Sequence, residues 1–271
     1  MVPSRTAKIL AVFFTVSVAG CNSDRAYAPP DTVLTDQQVS HDVAVSEGDA
    51  VAADLSALER SAGVTGITAS LAPDSPPGSN CSYAAPEWSC APVIERGLTV
   101  VRSYSYRDSA GQAMQAFDDL KTAKATFKVT IDGVVTRDTT FTASVHRTQN
   151  ITVSGLLGDE TTRRWWGVGT SADTNTHRDF ISTRRYAGKS IDSLKALVFP
   201  QPRTPGSYPL RGSTVRVVSY NVTSTGHGTE RRSVDRRVVT TYNGTAEARI
   251  ESGTMVCTLH LDTHKVDGCS G

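Results

Sequence analysis

From Glu95 onward, apolar and polar residues alternate with a period of two over most of the chain, as expected of strands with one buried and one solvated face. Leu98, Val100, Tyr104 and Tyr106 share one parity, and Thr99, Ser103 and Ser105 the other. Phe127, Val129 and Ile131 alternate up to Asp132-Gly133, a tight-turn dipeptide, and Phe141, Ala143 and Val145 alternate beyond it, so a hairpin is predicted there. Further strands are predicted at 151–156, 161–169, 178–185 and 214–221, with Pro200, Pro202 and Pro205 marking a loop before the last. In 112–122, Met114, Phe117 and Leu120 are spaced by three, which fits either a short helix or a strand and a loop; 191–199 is equally ambiguous.

The C-terminal end carries the most register information. Asn243-Gly244 and Ser252-Gly253 read as two-residue hairpin loops, since primed turns need positive φ and glycine supplies it at little cost. Folding about each sets Val239 opposite Ala248, Thr241 opposite Ala246, Ile250 opposite Met255, Ala248 opposite Cys257 and Ala246 opposite Leu259. Three strands then share a small apolar face, and Arg236 meets Glu251 on the polar one. About ten strands with few helical patterns predict an all-β fold, an antiparallel β-meander forming a sandwich, an open barrel or a strongly curved sheet.

Ahead of this domain the composition changes. Residues 22–80 are rich in Ala, Ser, Asp, Pro and Gly, with nine acidic residues against two basic, whereas the chain from Cys81 onward carries a net +6. The segment reads as an acidic, mostly disordered tether, able to reach on the order of 40 Å as a flexible coil. Val51, Leu55 and Leu58 allow a short helix within 50–62. The +6 is spread over the domain and does not form the concentrated basic face that nucleic acid requires.

The first twenty residues are an address. Arg5 and Lys8 precede an apolar run at 9–18, too short to span a bilayer, and the run ends in Val18-Ala19-Gly20-Cys21. This order resembles the signal peptide and lipobox of bacterial lipoproteins. The resemblance implies that Cys21 is acylated and becomes the mature N-terminus, attaching the chain to the membrane through acyl chains. Asn22, where the family's sorting rule would place an aspartate for inner-membrane retention, favours the outer membrane, facing the periplasm or the cell surface. The predicted organisation is a signal peptide at 1–20, a lipid-anchored tether at 21–80 and a β domain at 81–271.

Four cysteines remain beyond Cys21, and an even count outside the cytosol reads as disulfides. Three pairings exist; the sequence-local one, Cys81 with Cys90 and Cys257 with Cys269, is expected. The second bridge would cross a hairpin centred on residue 263, with Lys265 and Asp267 on the apolar side, Val266 pointing away, and the last strand a short edge piece.

Candidate chemistry is sparse. In Arg163-Arg164-Trp165-Trp166-Gly167-Val168, strand parity puts Trp166 and Val168 in the core and turns Trp165 outward beside Arg163, where the pair would stack on a sugar ring or anchor a protein. His260 is predicted to face solvent, and with Asp262 and His264 it lacks the further ligands of a metal centre. Gly-x-Ser-x-Gly, a Gly-rich phosphate loop and His-Glu-x-x-His are all missing, so no catalytic residue and no cofactor is predicted. The expectation is a non-catalytic, lipid-anchored envelope protein acting as a binding or structural module toward polysaccharide, lipid or protein. A periplasmic carrier of an apolar ligand is the alternative, and an envelope hydrolase ranks third.

Overall fold

The computed structural model describes residues 34–64, 80–95, 97–136, 141–203, 207–226 and 228–271. The signal segment, Cys21 and most of the stretch between Val64 and Cys81 lie outside the described residues. Among the described residues one helix, α1 (Asp36–Val64), precedes fourteen strands. These are β1 (Cys81–Ala84), β2 (Glu87–Cys90), β3 (Val93–Glu95), β4 (Leu98–Asp108), β5 (Ala113–Met114), β6 (Thr122–Thr136), β7 (Phe141–Ser154), β8 (Thr162–Arg178), β9 (Thr183–Pro200), β10 (Arg211–Thr225), β11 (Thr229–Tyr242), β12 (Glu247–Ser252), β13 (Met255–His260) and β14 (Lys265–Ser270).

All fourteen form a single antiparallel sheet that does not close into a barrel. Its main path runs β1-β2-β4-β6 and then in chain order to β14, with β3 and β5 pairing off that path on β4. Alternation produces the faces as expected: on β10, Val218, Tyr220 and Val222 are buried while Val217, Ser219 and Asn221 are exposed. Segment 112–122 resolves as the short β5 and a loop, and 191–199 as the second half of β9. Asp132-Gly133 is not a turn: β6 runs through it, and Gly133 pairs with Val145. The predicted strand at 178–185 is instead a hairpin tip, with β8 ending at Arg178 and β9 starting at Thr183.

At the C-terminal end, Ala248, Ile250, Met255, Cys257 and Leu259 do share the buried face. The register differs, however: Ile250 pairs with Cys257 and Ala248 with Leu259, since Gly253-Thr254 forms the loop. The β11–β12 connection is longer than two residues, because the Asn243 side chain accepts from the Thr245 amide (3.1 Å) and holds a wider turn. That shift reverses the parity of β11, turning Val238, Thr240 and Tyr242 inward in place of Val239 and Thr241. Both local disulfides are present. In β14, Val266 pairs with Leu259 and turns toward the core; an irregularity at Gly268 (φ +60°) then brings Cys269 to the same side.

The largest departure lies in the segment read as a tether. α1 spans 29 residues and is part of the packed body. Thr35 caps it reciprocally with Gln38, the Thr35 Oγ1 accepting from the Gln38 amide and the Gln38 Oε1 from the Thr35 amide, both at 3.1 Å. Val39, Val43, Val51 and Leu58 are fully buried, each stabilising the docked helix by about 1.5–3 kcal/mol as an upper estimate. Between Val39 and Val51 only His41 is exposed, because the sheet curls around the helix. On one side α1 meets β7 to β11; on the other, a Cβ at Gly48 would fall 2.7 Å from Val266 Cγ2 and 3.3 Å from Leu259 Cδ1. That approach accounts for a glycine inside a helix, where it costs about 1 kcal/mol relative to alanine.

Candidate functional site

Along its inner face the helix carries carboxylates where a simple amphipathic pattern would place apolar residues, and the sheet answers each one. Asp42 receives two hydrogen bonds from Arg184 (2.6 and 3.2 Å) and one from the Tyr186 hydroxyl (2.7 Å). Burial opposes ionisation of Asp42, but the His41 imidazole 3.9 Å away and the hydrogen bonds from Arg184 and Tyr186 outweigh it and hold the carboxyl well below its usual range. A turn further on, Glu47 lies 3.3 Å from Arg216, and Asp54 takes hydrogen bonds from Arg147 (2.8 Å) and Gln149 (2.6 Å). Arg216 also reaches Asp54 (3.5 Å) and donates its Nε hydrogen to Asp192 (2.5 Å).

Two guanidinium groups, Arg147 and Arg216, thus face three carboxyls, Glu47, Asp54 and Asp192, none more than 5% exposed at the side chain. The surplus negative charge has a predictable result. Burial, only partly offset by Arg216, pushes the Glu47 carboxyl up to about 7, and Asp54 is raised for the same reason. Ser190 donates to Asp192 (2.8 Å) and Ser171 to Asp173 (2.6 Å), and the two hydroxyl oxygens lie 2.8 Å apart, extending the polar network across the sheet. The ion pairs fasten α1 to the sheet, although Glu47 Oε2, Asp54 Oδ2, Asp192 Oδ2 and Arg147 Nε are buried there without a hydrogen bond of their own.

The outer face holds the other candidate. Trp165, predicted to face solvent, is 4% exposed and stacks on Phe127 at a centroid distance of 5.9 Å. Arg163 lies on the same inward side and is half-buried; desolvation pushes its guanidinium down to about 10. Alternation holds along β8, where the inward set is the odd one, Trp165 with Gly169, Ser171 and Asp173; the extra residue that shifts the β8–β9 register lies in β9, at Lys195-Ala196 opposite Trp166. Trp166 and Val168 therefore take the outward positions. They line a shallow open groove of about 590 Å³ with Asn150, Thr152, Leu194, Lys195 and Ala196. An indole face, an amide, a hydroxyl and an ammonium group meet there on a wide, paired sheet.

His260 hydrogen-bonds Asp267 (3.0 Å) and lies 4.0 Å from Glu247, and the Asp267 contact raises its pKa. Among the described residues no group of three or more His, Cys, Asp or Glu side chains is gathered as a metal cage, and no helix is long and apolar enough to cross a membrane. Sequence reasoning missed the Asp42, Glu47 and Asp54 series, although Thr35-x-x-Gln38 is a helix-start signature and Glu47 and Asp54 lie two helical turns apart on one face. No protein-family model, no curated protein and no solved structure matches this chain.

Proposed function

We propose that this is a lipid-anchored protein of the bacterial envelope, acylated at Cys21, whose β domain is a non-catalytic module binding envelope polysaccharide through the Trp166 groove. The observation that carries the reading is a half-exposed tryptophan in an open groove, flanked by the side chains of Asn150, Thr152 and Lys195. An indole stacks on the apolar face of a sugar ring while amide, hydroxyl and ammonium groups bond its hydroxyls or acidic substituents. The carrier alternative is less favoured, because α1 and its ion pairs occupy the concave face where an apolar cargo would lie. Asn22 after the acylated cysteine favours the outer membrane.

Retention of the purified protein on immobilised envelope polysaccharides tests the groove. Wild type should be retained and Trp166→Ala lost, with circular dichroism unchanged; equal retention of both would refute the groove. Cys21→Ser should move the protein out of the membrane fraction, and an unmodified N-terminal mass in wild type would refute the anchor.

A further inference from the structure

The β8–β9 hairpin tip, Asp179-Phe180-Ile181-Ser182, presents two adjacent apolar side chains to water: Phe180 is 110% exposed and Ile181 60%. The turn beneath them is firmly held. Asp179 Oδ1 accepts from the amides of Ile181 (2.9 Å) and Ser182 (2.8 Å), and the Asp179 amide donates to the Ser182 carbonyl (3.0 Å). Arg184 ties Asp179 to Asp42, so the tip is braced against α1. A phenylalanine and an isoleucine fixed outward on an ordered turn, with their apolar area left in water, are placed for contact with something apolar.

Two further observations identify what that is. Thr183, at the base of the tip, pairs with Thr225, and Thr225 with Thr229, so the tip and the start of β11 lie at one end of the strands. The same end is where the chain enters the domain, since the Leu34 amide donates to Glu230 (2.8 Å) and Arg232 to the Leu34 carbonyl (3.4 Å). Only residues 22–33 separate Leu34 from Cys21, and those peptide units span at most roughly 45 Å however they run. On the anchor reading proposed above, the entry point and the tip beside it are therefore within that reach of the bilayer, and they form the end of the strands joined to it by the shortest length of chain.

Charge agrees with this. Arg178, Arg185 and Arg231 are exposed around the tip, Arg185 and Arg231 flanking Thr223 in one row across the sheet. The nearby carboxylates are already engaged, Asp179 by Arg184, Glu230 by the Leu34 amide and Asp36 by Arg232 and Arg236. Apolar side chains ringed by arginines match the boundary between acyl chains and anionic headgroups.

We propose that Phe180 and Ile181 insert into the anionic lipid surface that carries the acyl anchor, giving the domain a second point of contact and a fixed orientation on the membrane. The inference rests on the anchor reading, and the experiment separates the two. Ile181→Cys, and Asp159→Cys at the opposite end of the sheet as a control, are spin-labelled in the acylated full-length protein. Each is reconstituted into vesicles of phosphatidylethanolamine with phosphatidylglycerol. The collision ratio of dissolved oxygen over a water-soluble nickel chelate should rise several-fold at 181 and stay at its aqueous value at 159. A smaller rise on neutral phosphatidylcholine supports the role of the arginines. A label at 181 that stays as water-accessible as that at 159, on vesicles the protein demonstrably occupies, overturns the proposal. Lipid-independent spin–spin broadening at 181 also overturns it, assigning the tip to a second copy of the chain. An N-terminus without lipid mass refutes the anchor alone; the label is then read with vesicles added to the free protein, where burial of 181 supports the tip and exposure overturns it.

Discussion

Replacing Arg216 by methionine removes the cation shared by Glu47, Asp54 and Asp192 while keeping most of the apolar stem. Arg216 is 4% exposed, so water cannot replace the lost charge, and Arg147 alone is left to balance three buried carboxyls. Breaking a buried ion pair from one side costs about 3–5 kcal/mol. The pH dependence follows from the same geometry. The Glu47 carboxyl already sits near 7, above its ordinary 4.5, so its contribution to stability is fully present below 4.5 and is lost as pH rises through 7. Arg216 is what pulls that value down; without it the carboxyl rises further and the loss at high pH deepens. Urea unfolding followed by tryptophan emission should therefore show a deficit several-fold larger at pH 8 than at pH 5. Glu47→Gln, which removes the surplus charge, should flatten the decline above pH 5. A deficit below about 1 kcal/mol at pH 8, or one independent of pH, would refute the account of α1 as held by this cluster.

Acid should act on the other end of the helix: Asp42 and Asp179 are held below their ordinary 3.8, so their contribution is present above that pH and is lost as pH falls through their folded values. Together with Glu47 this places the stability maximum between about pH 4 and 5, which thermal melts across pH 2–9 would show or contradict. Trp165→Ala should cost about 3–5 kcal/mol as a core truncation, whereas Trp166→Ala should cost under about 1 kcal/mol; equal costs would mean that both tryptophans are core. Replacing Cys257 and Cys269 by serine should cost about 2–3 kcal/mol and speed amide exchange in β14 while leaving β8 to β10 unchanged, and uniform acceleration would show that the bridge holds more than the edge.

The β character of the domain was legible because period-two alternation is local: each strand records its own inner and outer sides, as 98–106 and 127–131 do. What alternation cannot record is which of its two sides is buried. On β8 the odd set, with Trp165, faces the core and the even set, with Trp166 and Val168, faces out, and a longer turn at Asn243 exchanged the parity of β11. Pairing of the cysteines was legible because short separations close only between neighbouring strands. The helix was hidden for a different reason. Its inner face is written with Asp42, Glu47 and Asp54, which read as solvated residues until their partners, six or more strands further along the chain, are known.

Connectivity gives the helix an unusual place in time. In the sheet from β6 to β14 each strand pairs with its neighbours in the chain, so it can grow strand by strand as the polypeptide emerges. α1 is synthesised before all of them, yet its contacts are among the most remote: Asp54 waits 93 residues for Arg147, Asp42 waits 142 for Arg184, and Asp36 waits 200 for Arg236. Until those strands are in place the segment is a charged, well-hydrated leader, and its acids deter the premature association that an apolar helix of the same length would invite. Arg147 on β7 and Arg184 on β9 answer Asp54 and Asp42 first, and only when β10 supplies Arg216 can Glu47 be paired. The piece made first is the piece installed last, and its docking reports that the sheet has been completed.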